Sequence, residues 1–370
     1  MLVHSNTQYI IRGFFAFALF IGHYFLILGF YGIDFSFTDH QFFIFHNTCR
    51  ICITGFFVSS GFYIAINLAK VKNKVNDTGF YFVKTFWIKR ILRIWPTYYL
   101  LILLAFLIFP HLHILDLPKN HYPDTKNVLD HKAVILYYVA LLPQIPNCQK
   151  YTLDFADLAW SMGVEEIFYI FIPFVFFYTK QYLKVTVLLF TLYFVIKTLF
   201  CTIYLSKISP FTLKMFNISE YENILLGCIV GILVNKYPIF YKSITKQMVK
   251  FAVFCIVVLL IYHTSIPFTY LHIAICFALI FAYYFDREAW VAKIKPLVIF
   301  GKMSLSFYAF HQVAIVLCIN LLKDYINIKE NAIAFIFIIL PVATCISYIA
   351  YKLIEEPFLH KKNALNYSTK

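Results

Sequence analysis

Trp160-Ser161-Met162-Gly163-Val164-Glu165-Glu166-Ile167-Phe168-Tyr169 runs straight into Ile170-Phe171-Ile172-Pro173-Phe174-Val175-Phe176-Phe177. A helix needs about 20 mostly apolar residues to cross a bilayer, and this stretch supplies them. Two adjacent carboxylates nevertheless stand at its mouth. A charged side chain in hydrocarbon costs roughly 2.5–3.5 kcal/mol on insertion scales, so an acidic pair retained there points to function. The pattern recurs: Arg12 and His23 lie in the first apolar segment, and Arg90 and Arg93 lie beside another.

Composition agrees with a membrane reading. Of 370 residues, 61% are hydrophobic, 20% aromatic and 14% charged, whereas soluble domains carry about 25% charged residues. The net charge of +14 would suit a nucleic-acid binder if the cations formed a patch. They fall instead in short connections between apolar runs, as in loops retained in the cytoplasm, so no nucleic-acid partner is expected. The first apolar run, from about Tyr9 to Tyr31, exceeds a signal-peptide core and lacks a small-residue cleavage site, and is read as the first span. Among nine cysteines, Cys49 and Cys52 have a C-x-x-C spacing on a membrane helix with no second pair. They are read as small packing residues, and neither a metal site nor a disulfide framework is expected.

Apolar runs of spanning length lie near 9–31, 43–69, 94–110, 160–178, 183–205, 221–235, 249–263, 267–285, 297–322 and 332–354. The segment 134–142 is apolar but about half a span long. Charge decides its place. With the amino terminus inside and ten spans, the inner connections hold Lys70, Lys72, Lys74, Lys84, Lys89, Arg90, Arg93, Lys180, Lys184, Lys236, Lys242, Lys246, Lys250, Arg287, Lys293 and Lys295. A span at 134–142 would move most later cations outside, so that segment is placed at the outer surface. The expectation is an all-α, polytopic membrane helix bundle of about ten transmembrane helices, both termini cytoplasmic, forming a single domain over 1–370. The longest loop, about His111 to Asp157, then faces outward. Its His111, His113, His121 and His131 match no standard zinc spacing, and the loop is read as shaping access to an outward cleft.

Arg12 and His23 are eleven residues apart, about three turns and roughly 16 Å along one helix face. Arg12 falls near the cytoplasmic interface, where an arginine can also simply snorkel. His23 lies near mid-membrane, where it either packs helices together or acts as a neutral general base. Arg90 and Arg93 share a face at the cytoplasmic start of the third span, and two planar guanidiniums there suit an organic phosphate or pyrophosphate. No Walker-type or G-x-G-x-x-G loop is present. His46 and Arg50, one turn apart and followed by Thr54, Ser59, Ser60 and Gly61, outline a wet or substrate-facing surface, with helix packing through small residues as the alternative. Ser304, Ser306, Tyr308 and His311 pose the same choice. Glu165 and Glu166 point about 100° apart on a helix, so one faces a cavity and the other makes a structural pair; spacing does not say which.

Taken in order, these segments resemble the acyltransferase-3 family of multi-spanning membrane acyltransferases. The matching pieces are Arg12 with His23, Phe56-Phe57-Val58-Ser59-Ser60-Gly61-Phe62 and Arg90-Ile91-Leu92-Arg93-Ile94-Trp95-Pro96. Trp160-Ser161 to Tyr169, Gly301-Lys302-Met303-Ser304-Leu305-Ser306-Phe307-Tyr308-Ala309-Phe310-His311 and Glu355-Glu356-Pro357-Phe358 complete the set. The resemblance covers essentially the whole chain and lies in the ordered combination. It implies O-acyl transfer, usually of acetyl from acetyl-CoA, to a hydroxyl of a cell-surface polysaccharide, lipopolysaccharide or lipid-linked sugar, in the bacterial cytoplasmic (inner) membrane.

By resemblance His23 is the essential histidine and Arg12 its companion, while Arg90 and Arg93 match the cytoplasmic motif associated with the CoA donor. Many members have Asp where Thr54 stands, which leaves that acid's role without a residue here. Some members carry a carboxy-terminal esterase-like domain, which is not expected in this chain. The site expected is therefore His23, Arg12, Glu165 and Glu166 for catalysis and Arg90 and Arg93 for the donor. The acceptor would meet His46, Arg50, Ser161, Tyr308 and His311. Acyl-CoA is a substrate, with no tightly bound cofactor, and the bilayer and the glycan are the other partners. Donor contacts are expected inside and the Glu pair outside. The rival reading is an exporter of a surface glycan whose permeation path these polar residues line, whose mark would be inverted repeats with paired broken helices; none is seen.

Overall fold

A backbone in hydrocarbon must satisfy its own hydrogen bonds, so each long apolar run folds as a helix. In a computed structural model of the protein, the structure describes residues 5–33, 39–74, 79–118, 126–127, 134–149, 151–203, 209–261 and 269–365. Three long helices open the chain: α1 (Ser5–Phe30), α2 (Asp39–Lys74) and α3 (Gly79–Leu107). Two short helices, α4 (Ile135–Val139) and α5 (Gln144–Cys148), precede α6 (Ala159–Tyr178) and α7 (Tyr182–Thr198). Then come α8 (Pro210–Ser219), α9 (Tyr221–Lys236), α10 (Pro238–Lys242), α11 (Lys246–Ile261) and α12 (Thr269–Tyr283). The chain closes with α13 (Lys295–Lys302), α14 (Ser304–Leu322), α15 (Ile328–Ala350) and α16 (Glu356–Ala364). Among the described residues, the one extended pairing is a two-residue parallel ladder of Lys126–Asn127 with Tyr151–Thr152.

The protein is an all-α, polytopic membrane helix bundle. Eight helices among the described residues are long and apolar enough to cross a membrane. The expected spans at 249–263 and 267–285 correspond to α11 and α12, of 16 and 15 residues, and their junction at 262–268 lies outside the described residues, as do His121 and His131 of the long loop. The segment at 134–142 forms a five-residue helix, α4, too short to cross.

Three element boundaries differ from the hydropathy reading. α3 begins at Gly79, fifteen residues before the expected 94, because Phe80, Phe82, Val83, Phe86 and Trp87 carry the helix across Lys84, Lys89 and Arg90. The run 297–322 breaks at Met303 into α13 and α14. α8 and α9 form one candidate span, Pro210–Lys236, broken at Glu220 with φ 39° and ψ 35°. A non-glycine residue in that left-handed region persists only where its surroundings hold it.

The centre of the bundle is α2, which packs against α9, α1, α12 and α6. Its crossing with α9 depends on glycine. A Cβ at Gly61 would come within 2.0 Å of the Ile224 carbonyl oxygen, and one at Gly227 within 2.3 Å of the Val58 carbonyl. α7 presents Leu188 and Leu192 outward and α11 presents Phe251 and Phe254, as lipid-facing helices do. Cys148, at the end of α5, is buried, and burial pushes its thiol up to about 11.

Candidate functional site

Arg12 on α1, Arg90 and Arg93 on α3, and Glu165 and Tyr169 on α6 converge on one cavity of about 180 Å³, with Ser59, Ser60 and Asn67 from α2. Arg93 lies one turn beyond Arg90, so both reach the same side of α3. α16 packs on α3 and brings Lys362 into electrostatic range of Arg93, Arg90, Arg12 and Lys89. The carboxylates that answer these five cations are Glu165 and Glu355, both in range of Arg12, and Glu166, in range of Arg90. Among these described residues, the five cations exceed the three carboxylates, which suits a polyanionic ligand. The Arg12 Nε is buried without a hydrogen-bond partner, and its guanidinium carbon sits 5.8 Å from the Phe56 ring centroid.

The two adjacent glutamates divide as their 100° offset requires. Glu165 faces the cavity: its Oε1 accepts from Ser60 Oγ at 2.9 Å, and its Oε2 accepts from the Tyr169 hydroxyl. Glu166 faces α3 on the other side, where its Oε2 accepts from Trp95 Nε1 at 3.2 Å and its Oε1 has no hydrogen-bond partner. Antiparallel packing of α6 on α3, with Trp87 Nε1 donating to the Tyr169 carbonyl at 3.1 Å, sets Glu165 level with Arg90 and Arg93. The expected separation of the Glu pair from the donor arginines is thereby corrected: Glu165 and the arginines line one cavity. Arg90 and Arg93 likewise stand well inside α3 rather than at its start.

A second cavity, of about 50 Å³, adjoins the first and shares Arg12, Met162, Glu165 and Leu305 with it. It continues to Ser161, Ser304 and Tyr308. The Tyr308 hydroxyl donates to the Leu158 carbonyl at 2.8 Å and lies 2.8 Å from Ser161 Oγ. One turn along α14 is His311, fully buried, whose Nε2 is 2.9 Å from His23 Nδ1. The two rings meet edge to edge, with planes 23° apart and centroids 5.1 Å apart, and His311 Nδ1 lies 3.0 Å from the Phe307 carbonyl oxygen. Neither histidine lines these two cavities; the pair stands beyond the Tyr308 end of the second, with the Tyr308 and His311 ring centroids 6.3 Å apart.

Arg50 lines neither cavity, whereas His46 comes into electrostatic range of His23. Arg50 forms an ion pair with Glu220, donates to the Asn217 carbonyl at 2.9 Å, and stacks near Trp160 and Tyr270 at 5.6 and 5.0 Å. His46, a turn away, is exposed. Thr54 Oγ1 and Asn223 Nδ2 each donate to Glu220 Oε2 at 2.8 Å, so the carboxylate absent at position 54 arrives from the α8–α9 break. Glu220 carried no sequence signal of its own, although a buried arginine on α2 demanded an acid. Glu355 was also missed as a site residue: it is buried, accepts from Ser306 Oγ at 2.6 Å, and stood in the sequence as a carboxylate closing an apolar run. Among the described residues, no group of three or more His, Cys, Asp or Glu could hold a metal ion.

Fold and site together define a polytopic membrane protein with a cationic cavity inside the bundle and a hydrogen-bonded histidine pair beyond it. The model of the acyltransferase-3 family, described as an acyltransferase domain, matches residues 10–352, and the chain belongs to that family. It is also similar to Staphylococcus aureus proteins of strains COL and MSSA476, both named putative O-acetyltransferase, at 24% identity over 327 residues, covering 82% of this chain and 51% of each relative. The chain therefore spans about half the length of these curated relatives. No solved structure matches it.

Proposed function

We propose that the protein is an O-acyltransferase that moves an acyl group, acetyl in the first instance, from acyl-CoA to a hydroxyl of a surface glycan or lipid-linked sugar in the bacterial cytoplasmic membrane. The observation that carries this reading is the cationic cavity lined by Arg12, Arg90 and Arg93, which adjoins a second cavity ending at Tyr308, one turn of α14 from the His311–His23 pair. Arg12 stands at the first cavity and His23 roughly 16 Å further along the same helix, a separation that a pantetheine arm bridges. The names of the relatives favour acetyl as the group and oxygen as its destination.

Arg90 and Arg93, with Lys362 nearby, hold the donor phosphates through charge-assisted contacts. The thioester then extends past Arg12 and Glu165 toward Tyr308. His23 removes the proton of the acceptor hydroxyl as its oxygen attacks the thioester carbonyl. The C–S bond breaks, and the leaving thiolate takes the proton back from His23. Arg12 stabilises charge on the carbonyl oxygen, while Glu165, held by Ser60 and Tyr169, fixes the guanidinium. CoA is spent and replaced at each turnover, so it is a substrate.

The test is acetyl-CoA turnover by purified protein in proteoliposomes, followed as CoA release with water as acceptor. His23→Gln keeps a hydrogen-bonding side chain but no base, and should lose roughly 10²–10⁴-fold in turnover while binding CoA normally. A stable His23→Gln protein with most of its turnover would remove His23 from the chemistry.

A further inference from the structure

The contacts of the histidine pair fix which nitrogen of His23 carries a proton. A carbonyl oxygen only accepts, so the 3.0 Å contact between His311 Nδ1 and the Phe307 carbonyl requires a proton on His311 Nδ1. A second proton on Nε2 would make a fully buried imidazolium, at the cost of desolvating a charge. The opposite tautomer would set the Nδ1 lone pair against the carbonyl lone pairs. His311 Nε2 is therefore an acceptor, and the 2.9 Å contact is His23 Nδ1–H donating to it. A neutral His23 whose proton is held on Nδ1 keeps its lone pair on Nε2.

We infer that His311 is a positioning residue that holds His23 in the tautomer whose Nε2 is free to accept a proton. The chain runs from the Phe307 carbonyl through His311 to His23, and uses the α14 backbone where other sites use a carboxylate. Its second effect is geometric. Phe20 and Phe307 pack against His311 with ring centroids at 6.4 and 5.9 Å, so the imidazole is a rigid stop that sets the His23 ring orientation. In the reaction, the hydroxyl proton moves to His23 Nε2 while the oxygen bonds to the thioester carbon. The Nδ1 proton stays on His23 and its bond to His311 strengthens, because a charged donor makes the stronger hydrogen bond. When the C–S bond breaks, the same Nε2 proton passes to the sulfur.

This inference rests on His23 being the base, and its test separates the two. Acetyl-CoA turnover with water as acceptor is measured for His311→Phe, which keeps an aromatic ring but offers no acceptor, and for His311→Gln, whose amide oxygen can accept from His23. His311→Phe should lower kcat on the order of 10²-fold, toward the low end of general-base contributions, with the KM for acetyl-CoA unchanged. His311→Gln should restore most of kcat. His311→Leu stands in for the Phe variant if that protein does not fold. Wild-type kcat in His311→Phe, or equal loss in folded Phe and Gln variants, overturns the inference. If His23→Gln is inactive while His311→Phe is not, the positioning role alone fails; if His23→Gln is active, the underlying assignment fails with it.

Discussion

Arg50 and Glu220 stand or fall together. Glu220 is 1% exposed and gathers Arg50, Thr54 and Asn223 around a strained left-handed backbone. Removing one partner of a buried ion pair leaves an uncompensated charge, at about 3–5 kcal/mol. Glu220→Gln should therefore lower the thermal midpoint in detergent by several degrees and reduce yield, while Arg50→Met combined with Glu220→Gln should recover part of the loss. A Glu220→Gln protein with the wild-type midpoint would show the cluster to be energetically idle. At this scale the sequence told a good deal about which side chains are costly, and little about which ones meet. Periodicity put Arg12 and His23 on one face of α1, where Arg12 lines the cavities and His23 meets His311. It could not pair His23 with His311, 288 residues away, because helical spacing locates a side chain on its own helix and says nothing of the helix opposite. The same limit hid Glu220 from Arg50 and left Glu165 and Glu166 interchangeable until Ser60 and Tyr169 took up Glu165 and Trp95 took up Glu166.

Helices were legible wherever hydropathy ran unbroken, as in α6, found over Ala159–Tyr178 against an expected 160–178. They were misjudged where charges interrupt a helix without ending it. α3 runs through Lys84, Lys89, Arg90 and Arg93 because its other faces are aromatic and pack inward, a balance that a linear hydropathy window averages away. Breaks inside apolar runs escaped for the converse reason: Met303 and Glu220 interrupt the backbone, which hydropathy does not sense. The α2–α9 contact adds an element-scale expectation. Gly227→Ala would drive its methyl toward the Val58 carbonyl, and overpacking of this kind costs about 1–3 kcal/mol. The thermal midpoint of Gly227→Ala should fall, whereas Leu188→Ala on the lipid-facing side of α7 should leave it near wild type. Equal midpoints for Gly227→Ala and wild type would mean that the crossing tolerates a wider spacing than the structure gives it.

Across the whole molecule, composition and charge placement established the class, an all-α membrane bundle, before any helix was located. What they could not supply was depth. The reading placed donor contacts inside and the glutamates outside, since Lys and Arg mark loops; here Arg90, Arg93 and Glu165 share one level because a charged cavity within the bundle holds them there. That convergence gathers Arg12, Arg90, Arg93 and Glu165 at one cavity, and on the proposed reading the donor's phosphates bind there while its thioester reaches toward His23. The measurement that tests this most directly is the steady-state dependence of CoA release on acetyl-CoA concentration in Arg90→Ala and Arg93→Ala. Each loses a charge-assisted phosphate contact of about 1.5–3 kcal/mol, so KM for acetyl-CoA should rise about tenfold to a hundredfold in each folded variant, with kcat reduced far less than in His23→Gln. Unchanged KM in both would contradict the account, leaving the cationic cavity without its donor.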